Sequence, residues 1–325
     1  MSRGNPATRP NGVPRPKPTS RRSLMALRNG KKVDAIDVDP GDVTLQARNV
    51  NFDWSRTPLH WIPGEPIASH TLSAINLILP EGERWFCATF TEALPLINDD
   101  RLRADVRGFI GQEAMHAETH NVVLYEFLDA HDVDPRPFVL QSEFLMRKVL
   151  GRREMGSARA QRQQLVERLA FIGAIEHMTA FLGDWILNAR LEDFDADPSM
   201  TDLYRWHGAE EVEHRNVAHD VAMYFGVGYF RRNLAMLVSY LAFLVVMTRG
   251  LKFIVHADPT MRDRGYFSLW MGLFAAMRRG SLPGLTSLFR GALRYLHPRY
   301  SPQAEGDTAQ AIAYLAKSPA ARAAA

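Results

Sequence analysis

The sequence predicts an all-α protein centred on a four-helix bundle, and three observations lead to that prediction. Four long segments suited to helices are separated by breaks rich in Pro, Gly or Asp. The motif Glu-x-x-His occurs in the second and fourth segments, and a glutamate stands in the first and the third. A bundle with Glu-x-x-His on each of two helices and one Glu on each of the others is a typical scaffold for a dinuclear metal site.

Each helix of the bundle has a recognisable start or stop. The first begins at Pro80, since proline is favoured in the first turn of a helix, and Pro95 kinks or ends it. The fourth ends before Gly226. The predicted bundle helices cover 80–98, 101–130, 158–189 and 200–225, with further helical stretches at 70–77 and 138–150.

By composition the chain divides into four parts. Residues 1–45 are rich in Pro, Arg and Ser without apolar periodicity, which predicts a disordered basic tail. Residues 46–230 are predicted to form the dinuclear metal domain, preceded by an irregular segment. Residues 231–303 predict an apolar helical extension, and the Ala-rich residues 304–325 predict a flexible tail.

The charge distribution argues against a body that binds nucleic acid. Nine basic residues precede the first acid, Asp34, and the chain from there onward has 30 basic against 36 acidic residues. The basic tail is either a solvated extension or an electrostatic contact with acidic lipid or nucleic acid. The single cysteine, Cys87, excludes an intrachain disulfide and fits a reducing cytoplasm, and we expect no cleavable signal.

The stretch Trp206–His214 has the clearest metal-binding pattern in the chain. On a helix, His207, Glu211 and His214 occupy positions i, i+4 and i+7, so their side chains project from one face. Imidazoles and carboxylates that face a protein core are costly unless they are paired or bound to an ion. This stripe therefore predicts metal ligands.

A second stretch, 111–120, repeats the pattern. Its Glu113, His116 and His120 stand at i, i+3 and i+7 of a predicted helix. His120 lies one turn beyond His116, so it is either a further ligand or a hydrogen-bond partner of one.

The spacing of the candidate ligands predicts two helical hairpins. Glu83 lies 30 residues before Glu113, and Glu176 lies 35 residues before Glu211. Sixty residues separate His116 from Glu176, which is enough for the long crossover of a ferritin-like arrangement.

Helix geometry selects among neighbouring glutamates. Glu176 is preferred over Glu167, and Glu83 over Glu92, because nine residues place two side chains on opposite faces of a helix. His207 is either a seventh ligand or a hydrogen-bond partner of the ligands.

Five short motifs resemble a bacterial family of predicted metal-dependent hydrolases. They read PEGE at 80–83, FIGQEAMH at 109–116, IEH at 175–177, WHGAEEVEH at 206–214 and YLHP at 295–298. The resemblance covers most of the chain except the first 45 residues, and it implies a metal-dependent enzyme.

The ligand pattern is also similar to that of the dinuclear iron N-oxygenases that oxidise aryl amines. Those enzymes use three histidines and four carboxylates, and their extra histidine stands four residues before the last Glu, as His207 does here. This resemblance implies a metal site made of Glu83, Glu113, His116, Glu176, His207, Glu211 and His214.

The predicted ligand types favour iron. Carboxylates with imidazoles and no thiolate suit iron or manganese, whereas zinc prefers four-coordinate sites with fewer carboxylates. We expect two metal ions, with iron first and manganese or zinc as alternatives.

Three functions are compatible with such a site. The first is activation of dioxygen to oxidise a small, apolar organic substrate, with an electron donor as partner. The second is hydrolysis by a water that bridges the metal ions, as the family description implies. The third is non-enzymatic iron handling by a ferritin-like protein.

The C-terminal third is unusually apolar. Residues 233–248 contain no charged side chain, and a second apolar stretch runs over 266–277 before Arg278 and Arg279. These stretches are either buried helices that cover the bundle, an apolar substrate channel, or a peripheral membrane contact through 233–279. We therefore expect a cytoplasmic protein, membrane-associated if the last interpretation holds.

Overall fold

The computed structural model describes Met1 and residues 43–324, so the predicted basic tail lies outside the described residues except at its two ends. Everything below concerns residues 43–324. Within this part of the chain there are helices and turns and no strand, which confirms the all-α prediction. The helices are α1 Pro66–Asn76, α2 Leu79–Ala93, α3 Asp100–Val122, α4 Arg136–Glu143, α5 Ala158–Asn188, α6 Pro198–His214, α7 Val217–Tyr224, α8 Tyr229–Ala257, α9 Tyr266–Arg279, α10 Leu285–Tyr295, α11 Thr308–Leu315 and α12 Pro319–Ala323.

Side-chain caps fix the starts of the three longest helices around the candidate site. Asp99 accepts a hydrogen bond from the Leu102 amide at the start of α3, and Asp197 accepts one from the Met200 amide at the start of α6. Ser157 caps α5 in the same way. Such caps satisfy amide groups that have no partner within the helix.

The predicted bundle helices correspond to α2, α3, α5 and the pair α6 and α7. The first ends at Ala93 and continues as a 3₁₀ turn through Pro95, where the ring prevents a regular helix. The second ends in a π-helical turn, Val123–Leu128. The fourth breaks after His214, where the Arg215 guanidinium donates to the carbonyl of Pro302 and to the Thr308 hydroxyl.

Four helices surround the candidate site. Helix α2 packs along α3, and α5 packs along α6, while α2 also contacts α5 and α3 also contacts α6. The large side chains between them are fully buried, among them Phe90, Phe109 and Trp206. The ferritin-like topology itself stays a prediction.

The N-terminal segment 43–65 is irregular, as predicted, and runs along α6, from Arg48 beside Glu213 to Trp61 beside Tyr204. Trp61 is fully buried and stacks on Tyr204 of α6, with ring centroids 5.5 Å apart. Its carbonyl accepts a hydrogen bond from the Asp197 amide at 2.7 Å. The segment is thereby fixed to the start of α6.

The predicted apolar extension 231–303 corresponds to α8, α9 and α10. Helix α8 packs on α1 and α5, and its Gly250 lies so close to α1 that a Cβ there would be 3.2 Å from the Ala74 Cβ. Among the helices of residues 43–324, α8 is the one that is long and apolar enough to cross a membrane by length and composition.

The prediction of a flexible tail at 304–325 is wrong for the part described, which ends at Ala324. Helices α11 and α12 pack on α6, with Ala311 and Leu315 buried. Asp202 of α6 accepts hydrogen bonds from the Tyr314 hydroxyl at 2.7 Å and from the Ala320 amide at 3.1 Å. The many alanines therefore allow close helix packing here.

Candidate metal centre

The structure brings all seven predicted ligands together between four helices. Glu83 comes from α2 and Glu176 from α5, and both are buried. Helix α3 contributes two of the others and α6 three, all of them buried: Glu113, His116, His207, Glu211 and His214.

One half of the centre surrounds His214. Its Nε2 lies 3.2 Å from Glu211 Oε2, 3.3 Å from Glu113 Oε1 and 3.3 Å from Glu176 Oε2. One nitrogen facing three carboxylate oxygens at nearly equal distances is the arrangement expected of ligands around a shared cation. A single directed hydrogen bond would favour one oxygen over the others.

The other half lies between His116 and His207. His116 Nδ1 is 3.5 Å from Glu113 Oε1 and 3.8 Å from Glu211 Oε1. His207 Nε2 is 2.7 Å from Glu211 Oε1 and 3.8 Å from Glu83 Oε1. Glu113 and Glu211 take part in both halves.

Several buried polar atoms at this centre have no hydrogen-bond partner. Both carboxylate oxygens of Glu83, Glu113 and Glu176 lack one, and so does His116 Nδ1. An unpaired buried polar group costs about 1–3 kcal/mol, and more if it is charged. Six oxygens and one nitrogen with free lone pairs, facing one another in the core, fit a site for metal ions.

The electrostatics of the centre also favour positive charge. Burial raises the pKa of Glu176 to about 8, and the charges of Glu211 and Glu113 add to this effect. Burial and Glu113 raise the pKa of Glu83 well above its usual value. Burial alone lowers the pKa of His214, yet the carboxylates of Glu211 and Glu176 outweigh it and raise that pKa. The pocket therefore stabilises a cation and destabilises further negative charge.

Hydrogen bonds on the far side of two imidazoles free the other nitrogen for a metal ion. His116 Nε2 donates to Glu210 Oε2 at 3.0 Å, so Nδ1 keeps its lone pair toward the centre. His214 Nδ1 donates to Gln112 Oε1 at 3.1 Å, so Nε2 is the nitrogen that faces the carboxylates, where a metal ion could replace its proton. Both histidines thus present the nitrogen that a ligand needs.

Arg48 of the N-terminal segment holds these supporting groups. It donates to Glu210 Oε1 at 2.7 Å and to Glu213 Oε2 at 3.0 Å. Glu213 Oε2 also accepts from Gln112 Nε2 at 3.1 Å, and Glu210 Oε1 accepts from Trp206 Nε1 at 3.1 Å. The two carboxylates beside the predicted ligands therefore share one positive charge and are fixed in place.

A chain of hydrogen bonds orients His207. It starts at the carbonyl of Leu72, which can only accept, and therefore takes the proton of the Tyr204 hydroxyl at 2.8 Å. Tyr204 oxygen in turn accepts from Asn76 Nδ2 at 2.8 Å, and Asn76 Oδ1 accepts from His120 Nδ1 at 2.6 Å.

The direction of this chain decides the tautomer of His207. With its proton on Nδ1, a neutral His120 must accept at Nε2, so the bond between the two imidazoles comes from His207 Nδ1–H. Burial lowers the pKa of His120 and of His207, which keeps both neutral. His207 Nε2 is then free to face Glu211 and Glu83, and the structure places His120 behind His207 as its partner.

Glu167 and Glu92, the two glutamates that helix geometry excludes from the predicted site, form ion pairs elsewhere. Glu167 is 3.3 Å from Arg231, and Glu92 is 2.6 Å from Arg168. Burial, together with Glu113 and Glu83, raises the pKa of the Cys87 thiol to about 12, so this thiol stays protonated at neutral pH.

Comparison with protein families decides the family. A family model described as a predicted metal-dependent hydrolase matches residues 46–306. The chain belongs to this family. Searches of curated proteins and of solved structures found no match. The family description is that of an enzyme, as the sequence predicts.

In this member of the metal-dependent hydrolase family, an apolar cavity of about 310 Å³ meets the candidate centre. Glu83 and Glu211 contribute to its wall. The remaining wall comes mainly from apolar side chains of α2, α5 and α8, including Phe86, Phe171, Ile175, Met178, Val238 and Phe243. The cavity gives a route for an apolar molecule to the predicted ligands.

Sequence reasoning missed the residues that support the ligands. A signal existed for Gln112 and Glu210, since both adjoin predicted ligands on the same helices. None existed for Arg48, which lies 162 residues from Glu210. None existed for Asn76 either, which lies 44 residues from His120 and 128 residues from Tyr204.

Proposed function

We propose that this enzyme uses two metal ions to activate dioxygen and oxidise an apolar organic substrate. The observation that carries the metal part of the proposal is the group of buried, unpartnered oxygens on Glu83, Glu113 and Glu176. A globular core does not keep so many unpaired carboxylate oxygens unless something neutralises them.

The seven predicted ligands would form two sets, one for each metal ion, and two of the ligands would belong to both sets. Glu83, His116 and His207 would hold one ion, and Glu176 and His214 the other. Glu113 and Glu211 would bridge them, because each lies near imidazoles of both sets. This donor set has oxygen and nitrogen and no thiolate, which suits iron.

Two bound iron ions would supply the electrons that reduce dioxygen, with a separate electron donor restoring the reduced state after each turnover. The protein supplies the surroundings of that reaction. Apolar side chains such as Phe86 and Ile175 exclude water from the cavity beside Glu83 and Glu211. The hydrogen bond from His207 Nδ1–H to His120 holds the His207 ring in one orientation.

The cavity supports oxidation of an apolar substrate over hydrolysis of a polar one. Its described wall is made almost entirely of hydrocarbon, apart from the two carboxylates and three hydroxyl-bearing residues. Two of those hydroxyls, on Ser142 and Thr179, already donate to backbone carbonyls of Leu77 and Glu176. A carbonyl or phosphoryl group would find few donors there to stabilise its developing negative charge.

Hydrolysis by a metal-bridged water is the second candidate function, and the family description favours it. Such a reaction needs the same ligands but no change in the oxidation state of the metal ions. The two functions therefore share a site and differ in the metal and in the response to dioxygen.

Metal analysis combined with oxygen uptake separates these functions. We expect purified protein to bind two iron ions per chain and, after anaerobic reduction, to consume dioxygen rapidly. Replacement of Glu176 by Ala should abolish both properties, because it removes a ligand of one ion. The matched control is Glu167→Ala on the same helix, whose side chain is 44% exposed and lies in a surface ion pair.

Two results would count against the proposal. Zinc or manganese that is inert to dioxygen while the protein cleaves an ester or amide would make it a hydrolase. Iron uptake far beyond two ions per chain, with no oxidation of an added organic molecule, would indicate iron handling instead.

A further inference from the structure

Helix α8 exposes an apolar stripe along most of its length. Phe230, Leu234, Leu237, Leu241 and Leu244 follow one another at intervals of four and three residues, and all are exposed. The opposite side of the same helix packs on the protein. Large contiguous apolar surfaces of this kind are unusual in soluble proteins and indicate a binding partner.

The next two helices extend this surface. Phe267 of α9 is 80% exposed and Phe289 of α10 is 62% exposed. Trp270 and Leu293 on the same two helices are also exposed. We call the exposed apolar side chains of α8, α9 and α10 the apolar face.

The charge of these helices identifies the kind of partner. Residues 229–300 contain eleven Lys and Arg against two Asp, a net charge of +9. Residues 43–228 contain 17 basic against 28 acidic residues, a net charge of −11. Asp258 and Arg232 are buried, and Arg231, Arg279 and Arg294 form ion pairs with glutamates of other segments. The remaining seven Lys and Arg of residues 229–300 stand against one aspartate, Asp263, so the charge around the apolar face is still mainly positive.

This combination of charge and apolarity fits an anionic lipid surface. On such a surface, aromatic and leucine side chains would enter the boundary between headgroups and acyl chains, and the exposed Arg278 and Arg290 would contact acidic headgroups. A second copy of the chain would place one positively charged face against another, which disfavours self-association through this face.

The packing of α8 favours a helix that lies on the membrane over one that crosses it. Buried residues from Ala235 to Val255 contact the body of the protein along the helix, so lipid cannot surround it. The 14 residues of α9 and the 11 residues of α10 are shorter than the roughly 20 that a spanning helix needs.

The cavity at the candidate metal centre opens on the same face. Val238 is 44% exposed on the apolar face and also lines the cavity, as does the exposed Ala242 beside it. A molecule dissolved in the lipid would therefore reach Glu83 and Glu211 without passing through water.

We propose that the apolar face docks on the anionic leaflet of a lipid bilayer and takes lipophilic substrates directly from it. The docking part is independent of the metal chemistry. The substrate part rests on the proposed function, because it assigns the cavity to the substrate of the metal centre.

Vesicle sedimentation tests the docking. We expect the full chain to sediment with vesicles of equal parts phosphatidylcholine and phosphatidylglycerol, and far less with phosphatidylcholine alone. High salt should release part of the bound protein, since screening weakens the contribution of the arginines.

Two double substitutions identify the surface. Phe267→Ser with Phe289→Ser should lower the partition coefficient by about tenfold or more, because burying an aromatic side chain is strongly favourable. Arg278→Gln with Arg290→Gln should lower binding to anionic vesicles by roughly fivefold per charge and leave binding to neutral vesicles unchanged.

Matched controls change the same residue properties elsewhere. Tyr125→Ser with Ile312→Ser removes two exposed apolar side chains outside α8, α9 and α10, and Arg56→Gln with Arg159→Gln removes two exposed charges. Both pairs should sediment as the original protein does. Circular dichroism and metal content, measured on every variant, separate loss of docking from loss of the fold or of the centre.

Four outcomes would overturn the docking proposal. The protein fails to sediment with any vesicle; the control pairs reduce sedimentation as much as the test pairs; or the Phe pair dissolves a dimer seen by ultracentrifugation without lipid. Resistance of bound protein to an alkaline wash would show a spanning α8 and also contradict it. Normal docking without dioxygen uptake would instead refute the proposed function alone.

Discussion

The backbone carbonyl of Leu72 controls which nitrogen of His207 is free for a metal ion. Replacing Tyr204 by Phe removes the hydroxyl that connects this carbonyl to Asn76 and His120. The hydrogen-bond chain then no longer fixes the His207 proton on Nδ1. We expect about 10–100-fold weaker binding of one metal ion, measured by competition with a chelator.

Tyr314→Phe is the matched control for that substitution. The Tyr314 hydroxyl also donates a hydrogen bond to a residue of α6, Asp202. That bond is not part of the hydrogen-bond chain that reaches His207. The Tyr314→Phe variant should bind metal with the same affinity as the original protein. Equal loss in both variants would show that the effect comes from the stability of α6 and not from the orientation of His207.

Arg48 forms ion pairs with two carboxylates beside the centre. Replacing it by Met keeps much of the side-chain volume but leaves Glu210 and Glu213 without their cation. We expect the free energy of unfolding to fall by about 2–3 kcal/mol, somewhat less than for a fully buried pair, because Arg48 is 23% exposed. Chemical denaturation measures this value, and Arg56→Met in the same segment should change it little.

The sequence predicted which buried Glu and His side chains would lie together at the centre, but not the residues that support them. Glu113, His116, Glu211 and His214 stand at helical spacing, and burying such groups is so costly that their types alone indicate a site. Arg48 and Asn76 reach the centre only through the folded arrangement of distant segments. Nothing local in the sequence indicates those contacts.

Two glycines set the separation of α5 and α6. A Cβ on Gly208 would lie 2.9 Å from the Cα of Gly183, closer than real Cβ contacts. The two helices therefore approach closely, next to the turns that hold Glu176 and Glu211.

Replacing Gly208 by Ala should push these helices apart. We expect a loss of about 2 kcal/mol or more in the free energy of unfolding, together with weaker metal binding. Gly228→Ala is the control, because a Cβ there meets nothing within 4 Å. Unchanged stability of the Gly208 variant would mean that the close approach is not required.

Helix positions were predictable because apolar periodicity and breakers act locally. Residues 158–189 illustrate this, since α5 spans Ala158–Asn188 and Ser157 caps its start. The break between α6 and α7 was not predictable, because its bonds come from Arg215 to Pro302 and Thr308, far along the chain. The packed state of 304–324 was missed for the same reason.

On the scale of the whole molecule, the predicted ligands tie together α2, α3, α5 and α6. A ligand that binds only the folded state stabilises it, by about 4 kcal/mol at a concentration a thousandfold above its Kd. We therefore expect chelation to lower the melting temperature substantially, as followed by calorimetry. The same treatment should leave Glu113→Ala unaffected and Glu167→Ala as sensitive as the original chain.

The packing of α11 and α12 on α6 has a consequence for the synthesis of the protein. Helix α6 holds three predicted ligands, and α11 and α12, which pack on it, lie as much as about 110 residues further along the chain. At about 5–20 residues per second, the ribosome makes those residues roughly ten seconds after His214. During that interval the outer side of α6 has no cover. We therefore expect metal binding to be completed only after translation. A nascent chain stalled before α11 would expose the incomplete centre to whichever metal ion is most abundant.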